Sequence, residues 1–204
     1  MKICGITRLT DALCAVDAGA TAVGFVFWPG SPRAVGPERA AEIIAELPSS
    51  VLPVGVFVDE SIDGIRATAA RTGIRAVQLH GDEPPEYVAA LTWPILRAVD
   101  VEEVDRVCQT WPEPTIVLLD TIDPVRRGGT GVAVDWTVAA GVARRRRCVL
   151  AGGLTPATVA EAVRAVRPYG VDVSSGVESS PGVKDRDKVA RFIARARHAF
   201  EECQ

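Results

Sequence analysis

Two residue types that trade protons stand at the ends of short apolar runs in this chain. Cys4 closes Met1-Lys2-Ile3-Cys4, and Asp120 closes Thr115-Ile116-Val117-Leu118-Leu119. Desolvation at the edge of an apolar run can keep a carboxyl group protonated and ready to donate, while a thiolate can accept. Each residue also has a plainer role open to it: a capping aspartate, and a core cysteine, since cysteine is among the most buried residue types. Two glycine/serine segments, Ala151-Gly152-Gly153-Leu154 and Ser174-Ser175-Gly176-Val177, offer backbone N–H groups that can approach an anion closely. Arg33 adds a planar fork that fits a carboxylate, or else is a surface arginine. His80 is a ligand contact or a structural histidine, and Asp59 reads as structural. The chemistry these residues suggest is proton transfer on a small phosphorylated molecule.

The elements that must hold them follow from a βα rhythm. Short β-branched runs fall at Lys2–Cys4, Ala22–Phe27, Pro53–Val58, Ala76–His80, Ile95–Val99, Thr115–Leu119, Cys148–Ala151 and Val171–Ser174, with amphipathic helical stretches between them. In the first helix Leu9, Leu13 and Val16 share a face, with Ala12 beside them, before Gly19. Pro37 opens the second, with Ala40, Ile43, Ile44 and Leu47 inward. Ser61 caps the third, and Thr155-Pro156 starts the seventh, with Val159, Ala162, Val163 and Val166 inward. The last helix turns Val189, Phe192, Ile193, Ala196 and Phe200 to one side. The fifth, around Glu102–Gln109, is the least regular and runs into Trp111-Pro112-Glu113-Pro114.

Eight units at roughly 25 residues each predict an α/β fold, a (β/α)8 TIM barrel of the phosphate-binding type in one domain over residues 1–204. An open doubly wound sheet shows the same alternation, but no glycine-rich dinucleotide fingerprint follows the first strand. In a barrel, Cys4, Asp59, His80, Asp120, Gly152-Gly153 and Ser174-Ser175-Gly176 all come to the C-terminal ends of the strands, where ligands meet. Strand alternation turns Lys2 and Cys4 to one side and Ile3 to the other. Lys2 then lies in the barrel beneath Cys4, needs a partner there, and finds it in Asp172 of the neighbouring last strand.

Composition narrows the classes. A net charge of −3 argues against a nucleic-acid partner, and the run Arg144-Arg145-Arg146-Arg147 reads as a solvated loop or helix end. No run of about 18 apolar residues is present, and the N-terminus lacks a signal pattern, so neither a membrane partner nor export is expected. Five cysteines without paired short spacing point to reduced thiols and a cytoplasmic protein. With two histidines, His80 and His198, a histidine-rich metal site is not expected.

The motifs taken together resemble the phosphoribosylanthranilate isomerase family of tryptophan biosynthesis. They are Lys2-Ile3-Cys4-Gly5-Ile6-Thr7, Gly24-Phe25-Val26-Phe27 with Ser31-Pro32-Arg33, Val54-Gly55-Val56-Phe57, Gln78-Leu79-His80-Gly81, Leu118-Leu119-Asp120, Gly128-Gly129-Thr130-Gly131 with Asp135-Trp136, Ala151-Gly152-Gly153-Leu154 and Asp172-Val173-Ser174-Ser175-Gly176-Val177-Glu178. They span nearly the whole chain in family order. The resemblance implies an Amadori rearrangement with Cys4 as general base, Asp120 as general acid, Arg33 on the anthranilate carboxylate and the last two loops on the phosphate. It implies no metal or redox cofactor, and a monomer or a homodimer.

Trp28-Pro29-Gly30 stands where the family often has a smaller aromatic and a lysine, and Val134 replaces a frequent phenylalanine; both bear on affinity and loop motion. The Arg126-Arg127-Gly128-Gly129-Thr130-Gly131 segment has the glycine content of a lid or of an ordinary flexible loop. A proton-abstracting Cys4 needs its pKa lowered from about 8.5, or else activity that rises with pH; Lys2 is a source of that shift only if Asp172 does not neutralise it. The rivals are a histidine-pathway phosphoribosyl isomerase or a dual-specificity enzyme, a metal-dependent pentose-phosphate epimerase, and a non-catalytic phosphosugar-binding barrel. The first type uses two aspartates, the second needs ligands this chain hardly supplies, and the third has no reason to keep Cys4 opposite Asp120.

Overall fold

Eight parallel strands close on themselves in the computed structural model, which describes residues 1–121 and 134–203. The strands are β1 (Lys2–Ile3), β2 (Ala22–Val26), β3 (Leu52–Phe57), β4 (Ala76–Leu79), β5 (Ile95–Val99), β6 (Ile116–Leu119), β7 (Cys148–Leu150) and β8 (Gly170–Val173). Each pairs with the next, and β1 pairs with β8 through Lys2↔Asp172 and Ile3↔Val173. Helices α1 (Leu9–Ala18), α2 (Pro37–Ala45), α3 (Ile62–Thr72), α4 (Tyr87–Ala90), α5 (Val104–Thr110), α6 (Trp136–Ala143), α7 (Val159–Val166) and α8 (Arg186–Glu202) follow the strands in order. This is the (β/α)8 barrel expected from the alternation of patterns.

Period-two alternation separates two cores. Outward residues such as Ile3, Val23, Phe25, Leu79, Leu119 and Leu150 pack against the helices. Inward residues Val54, Ala76, Leu96, Ala98, Leu118, Val149 and Ala151 fill the barrel, and Cys4, Val26 and Val56 form a separate layer above them. A packed interior of this kind is a floor, so ligands can enter only from the mouth.

Local chemistry sets the helix ends. Gly19 and Gly73 close α1 and α3 in the left-handed region, where a Cβ is costly. Ser61 Oγ accepts from Gly64 N at 3.0 Å and caps α3. The face of α1 differs from the expected one: Asp11, Ala12 and Ala15 are buried, and Leu13 is 38% exposed. Asp11 wins the inward position because its carboxylate is used twice, by Arg8 and by the backbone N of Lys184. Regular helix in α7 begins at Val159; Thr155 and Pro156 form the turn before it, with Thr155 Oγ1 accepting from Ala157 N and Thr158 N.

One element has no counterpart in the strand pattern. After β8 a 3-10 turn (Ser175–Val177) leads into a small antiparallel ribbon, β9 (Glu178–Ser180) and β10 (Val183–Lys184), turning at Gly182 with φ 78°. It folds over the rim of the mouth and contributes Pro181 to its wall.

Candidate active site

The C-terminal ends of the strands enclose a cavity of about 530 Å3. Cys4, Arg33, His80, Asp120, Gly152, Gly153, Ser174, Ser175 and Gly176 all line it. Every site residue singled out from the sequence is therefore brought together. The 126–131 segment lies outside the described residues.

Cys4 is 8% exposed. Its thiol has room because Gly24 faces it across β2: a Cβ there would stand 2.7 Å from Cys4 Sγ and 3.1 Å from Lys2 Cε. Lys2 lies directly below, with its ammonium 2.8 Å from Asp172 Oδ2, both side chains buried. Burial works against the lysine's charge, but Asp172 and then Cys4 hold it protonated. Burial pushes the Cys4 thiol up, and the Lys2 ammonium beneath opposes that shift without overcoming it. The condition set for a lowered thiol is not met, since Asp172 takes up much of the lysine's field, and the alternative, activity that rises with pH, remains.

Asp120 sits just past β6, with its backbone N donating to Val99 O and its Oδ1 accepting from Thr121 N at 2.8 Å. Burial, with the nearby Asp172 carboxylate, pushes its pKa up to about 7, against the Thr121 hydrogen bond and Lys2. A carboxyl group in that state carries its proton at neutral pH in a sizeable fraction of molecules, as an acid catalyst must. His80 Nε2 stands 3.8 Å from Asp120 Oδ2. Gln78 Nε2 lies 3.1 Å from His80 Nδ1; with the amide donating there, the imidazole carries its proton on Nε2, toward the carboxylate. Gln78 was not anticipated as a lining residue. Its signal was present, since it shares inward parity with His80.

Asp59 performs the structural task expected of it. It adopts φ 51°, donates its N–H to Glu83 and accepts from Asp82 N, which fixes the loop after β4. Arg97 completes that support from outside the barrel, 2.6 Å from Glu83.

The last two loops meet. Gly152 and Gly153 both hold φ 66°, a conformation L side chains rarely adopt. A Cβ at Gly152 would come 2.6 Å from Val134, and one at Gly176 would run into the carbonyl of Leu154. The two glycine/serine segments therefore form one concave patch of backbone, with the 3-10 turn starting at Ser175 beside it. Arg33 lines the cavity, but Glu178 holds most of its fork, accepting from Nε at 2.9 Å and from Nη2 at 2.8 Å. Nη1 is not used in that pair. Trp28 stands on the same side, its ring packed over Gly30.

A thiol and a raised carboxyl group in one mouth, above a packed barrel, place the protein among the (β/α)8 barrels that carry their chemistry on the strand ends. Within that class, the chain belongs to the N-(5'-phosphoribosyl)anthranilate (PRA) isomerase family, whose model matches residues 1–195. It is 50% identical to the N-(5'-phosphoribosyl)anthranilate isomerase of Geobacter sp. (strain M21) over 199 residues, 97% of each chain. The phosphoribosyl anthranilate isomerase of Thermotoga maritima superposes with a TM-score of 0.89 at 44% identity, covering 97% of this chain and 98% of that one. A further isomerase structure, solved with reduced 1-(o-carboxyphenylamino)-1-deoxyribulose 5-phosphate, has a TM-score of 0.86 at 42% identity and 97% coverage of both chains.

Proposed function

We propose that this protein converts N-(5-phosphoribosyl)anthranilate to 1-(2-carboxyphenylamino)-1-deoxyribulose 5-phosphate in L-tryptophan biosynthesis, by general acid–base catalysis. The observation that carries this reading is the shared cavity of Cys4 and Asp120, with a glycine/serine cradle and an arginine on its wall. Asp120 gives its proton to the furanose ring oxygen. The C1′–O bond breaks as the nitrogen lone pair forms a C1′=N iminium. The Cys4 thiolate then takes the proton from C2′, and that electron pair forms the C1′=C2′ bond of an enolamine. The enolamine tautomerises to the ketone as C1′ gains a proton and the C2′ hydroxyl loses one. The iminium is a cation beside the thiol, and it favours the thiolate that burial alone disfavours. The proton lost by Asp120 equals the one gained by Cys4, so the pair is reset through solvent.

Gly152, Gly153, Ser174, Ser175 and Gly176 take the phosphate, Arg33 the anthranilate carboxylate, and Trp28 covers the aromatic ring. His80, protonated on Nε2, steadies the Asp120 carboxylate once it has given up its proton. The cycle asks for no metal or redox cofactor. All of these residues come from one chain, so the site is complete in a monomer and equally in each half of a homodimer. Cytoplasmic residence fits five free cysteines, one of them in the site.

The test follows the loss of substrate anthranilate fluorescence with the wild type, Cys4→Ala and Asp120→Asn. Inactive or strongly impaired variants support the roles; full activity in either removes that residue from the chemistry. An inactive wild type returns the protein to the non-catalytic phosphosugar-binding barrels, and turnover of the histidine-pathway ribotide adds a second specificity.

A further inference from the structure

Arg33 is a poor clamp if left alone. Its long side chain would lose much rotamer freedom on meeting a carboxylate, and a fork binds well only when its plane is already fixed. The structure fixes it from two sides. Glu178 holds Nε and Nη2 in a bidentate pair, with Arg33 and Glu178 side chains 14% and 5% exposed. The Arg33 stem lies against Gly5, where a Cβ would come 2.6 Å from its Cδ. Glu178 is itself held: Lys184 Nζ lies 2.8 Å from its Oε1, and Gly182 N donates to the same oxygen at 3.3 Å.

The ribbon makes this possible, because Lys184 is the register partner of Glu178. Lys184 also donates to Ser174 O at 3.3 Å, and its own backbone N is fixed by Asp11. Ser174 in turn donates to Cys4 O at 3.1 Å. A continuous set of contacts therefore runs from Cys4 through Ser174, Lys184 and Glu178 to Arg33. Two cations and one carboxylate leave this group at +1, so one further anion completes it, and a buried charge without its counter-ion is costly.

We propose that Glu178 and Lys184 are positioning residues for substrate recognition. They aim the Nη1 edge of Arg33, which has no hydrogen-bond partner among the described residues, at the aromatic carboxylate and thereby set the preference for a carboxylated substrate. This rests on the assignment of Arg33 to that carboxylate. Glu178 holds the Arg33 fork directly, whereas Lys184 holds both Glu178 and Ser174, so a change at Glu178 alone isolates the contact that serves the carboxylate.

The experiment compares kcat and KM for phosphoribosylanthranilate and for the analogue built on aniline, which lacks the carboxylate. The proteins are the wild type, Arg33→Met, Glu178→Asp, Glu178→Gln, Glu178→Gln/Lys184→Met and Arg33→Met/Glu178→Gln. The Glu178/Lys184 double variant removes both buried charges and keeps the test available if Glu178→Gln fails to fold. Expected is a roughly tenfold rise in KM for the carboxylated substrate in Glu178→Gln, with kcat and the analogue's KM nearly unchanged; in the Glu178/Lys184 variant, where Ser174 also loses a contact, KM for the carboxylated substrate should rise roughly tenfold more than KM for the analogue. Glu178→Asp should recover part of the preference, and Arg33→Met/Glu178→Gln should be no worse than Arg33→Met. Full preference in the folded Glu178/Lys184 variant, or penalties that multiply in Arg33→Met/Glu178→Gln, overturns the positioning role alone. An unchanged preference in Arg33→Met overturns the Arg33 assignment, and this inference with it.

Discussion

The two ends of the barrel both gather cations, and they treat them in opposite ways. At the mouth, Lys2 and Lys184 are buried and Arg33 is partly buried, and each faces a carboxylate: Asp172, Glu178 and, for Arg33, Glu178 again. At the N-terminal ends of β6, β7 and β8, Arg144, Arg145, Arg146, Arg147 and Arg167 surround an open hollow of about 690 Å3. There Arg145 meets an exposed Asp105, Arg147 lies over the 63% exposed Tyr169, and Arg146 donates to the carbonyls of Cys108, Trp111, Pro112, Glu113 and Thr115. Water can serve most of these arginines, so their charges cost little. The mouth cations have lost water and depend on partners chosen by the fold. The conspicuous run of four arginines is mostly solvated surface with one structural member. The cations that matter for chemistry are single residues, separated from their partners by 170 positions (Lys2–Asp172) and 145 positions (Arg33–Glu178).

The sharpest way to break this contrast is by activity. Asp120→Asn and Cys4→Ala should each lower kcat by roughly 10²–10⁴-fold. Arg144→Ala and Arg147→Ala should leave turnover within about twofold in the same assay. A loss at the arginine end comparable to that at the mouth would void the distinction.

Stability gives the next largest effect. Lys2→Met strands a buried Asp172 and should cost about 3–5 kcal/mol in urea unfolding. Lys2→Met/Asp172→Asn should recover much of that, whereas Arg145→Ala should leave the midpoint in place. Equal losses from the single and double changes at Lys2 and Asp172 would mean that packing, not charge, holds this part of the barrel.

Asp120 carries its own cost. Its pKa in the folded state, about 7, lies above the ordinary value of 3.8, so the folded state binds more protons than the unfolded chain between those pH values. Its contribution is neutral below about pH 4 and becomes more unfavourable as pH rises to 7, reaching a few kcal/mol. Asp120→Asn should therefore unfold at higher urea than the wild type at pH 8, and the two should converge near pH 4. A gap that stays constant with pH would place Asp120 in its ordinary range.

The pH dependence of kcat/KM is the subtlest measure. The active form holds one proton on Asp120 and none on Cys4. kcat/KM should rise tenfold per pH unit below about 7, level off, and fall only as the raised thiol titrates. A profile flat from pH 5 to 7 would contradict the reading of Asp120.

Much of this was legible because alternation and turn residues act locally. All eight strands were read within a residue or two of their observed bounds. Several were read one residue too long at the mouth: Cys4, His80, Ala151 and Ser174 lie just beyond the last ladder residue. That is where strands splay, and it is why those side chains are free to line a cavity. The Lys2–Asp172 pair was legible because inward parity and barrel closure together leave few partners for a buried ammonium. The β9–β10 ribbon was not, since Glu178-Ser179-Ser180-Pro181-Gly182 reads as a turn and its ladder is only two to three residues long. For the same reason Glu178 and Lys184 were missed as the holders of Arg33. The exposed Leu13 shows the limit of helical periodicity, which cannot foresee that a carboxylate with three donors will outbid a leucine for the inward position.

The closing register of the barrel has a consequence for how the protein comes into being. The floor of the site joins Lys2 of β1 to Asp172 of β8, and the hydrogen bond at its rim joins Ser174 to the carbonyl of Cys4, 170 positions earlier. During synthesis the base must wait for nearly the whole chain before the strand that completes its surroundings emerges. Until then the thiol stands on an unpaired strand edge, open to oxidation and to pairing with other chains. Activity is thus the last property this fold acquires, and a nascent chain halted before β8 would carry the acid and the base with no enclosed place for them to meet.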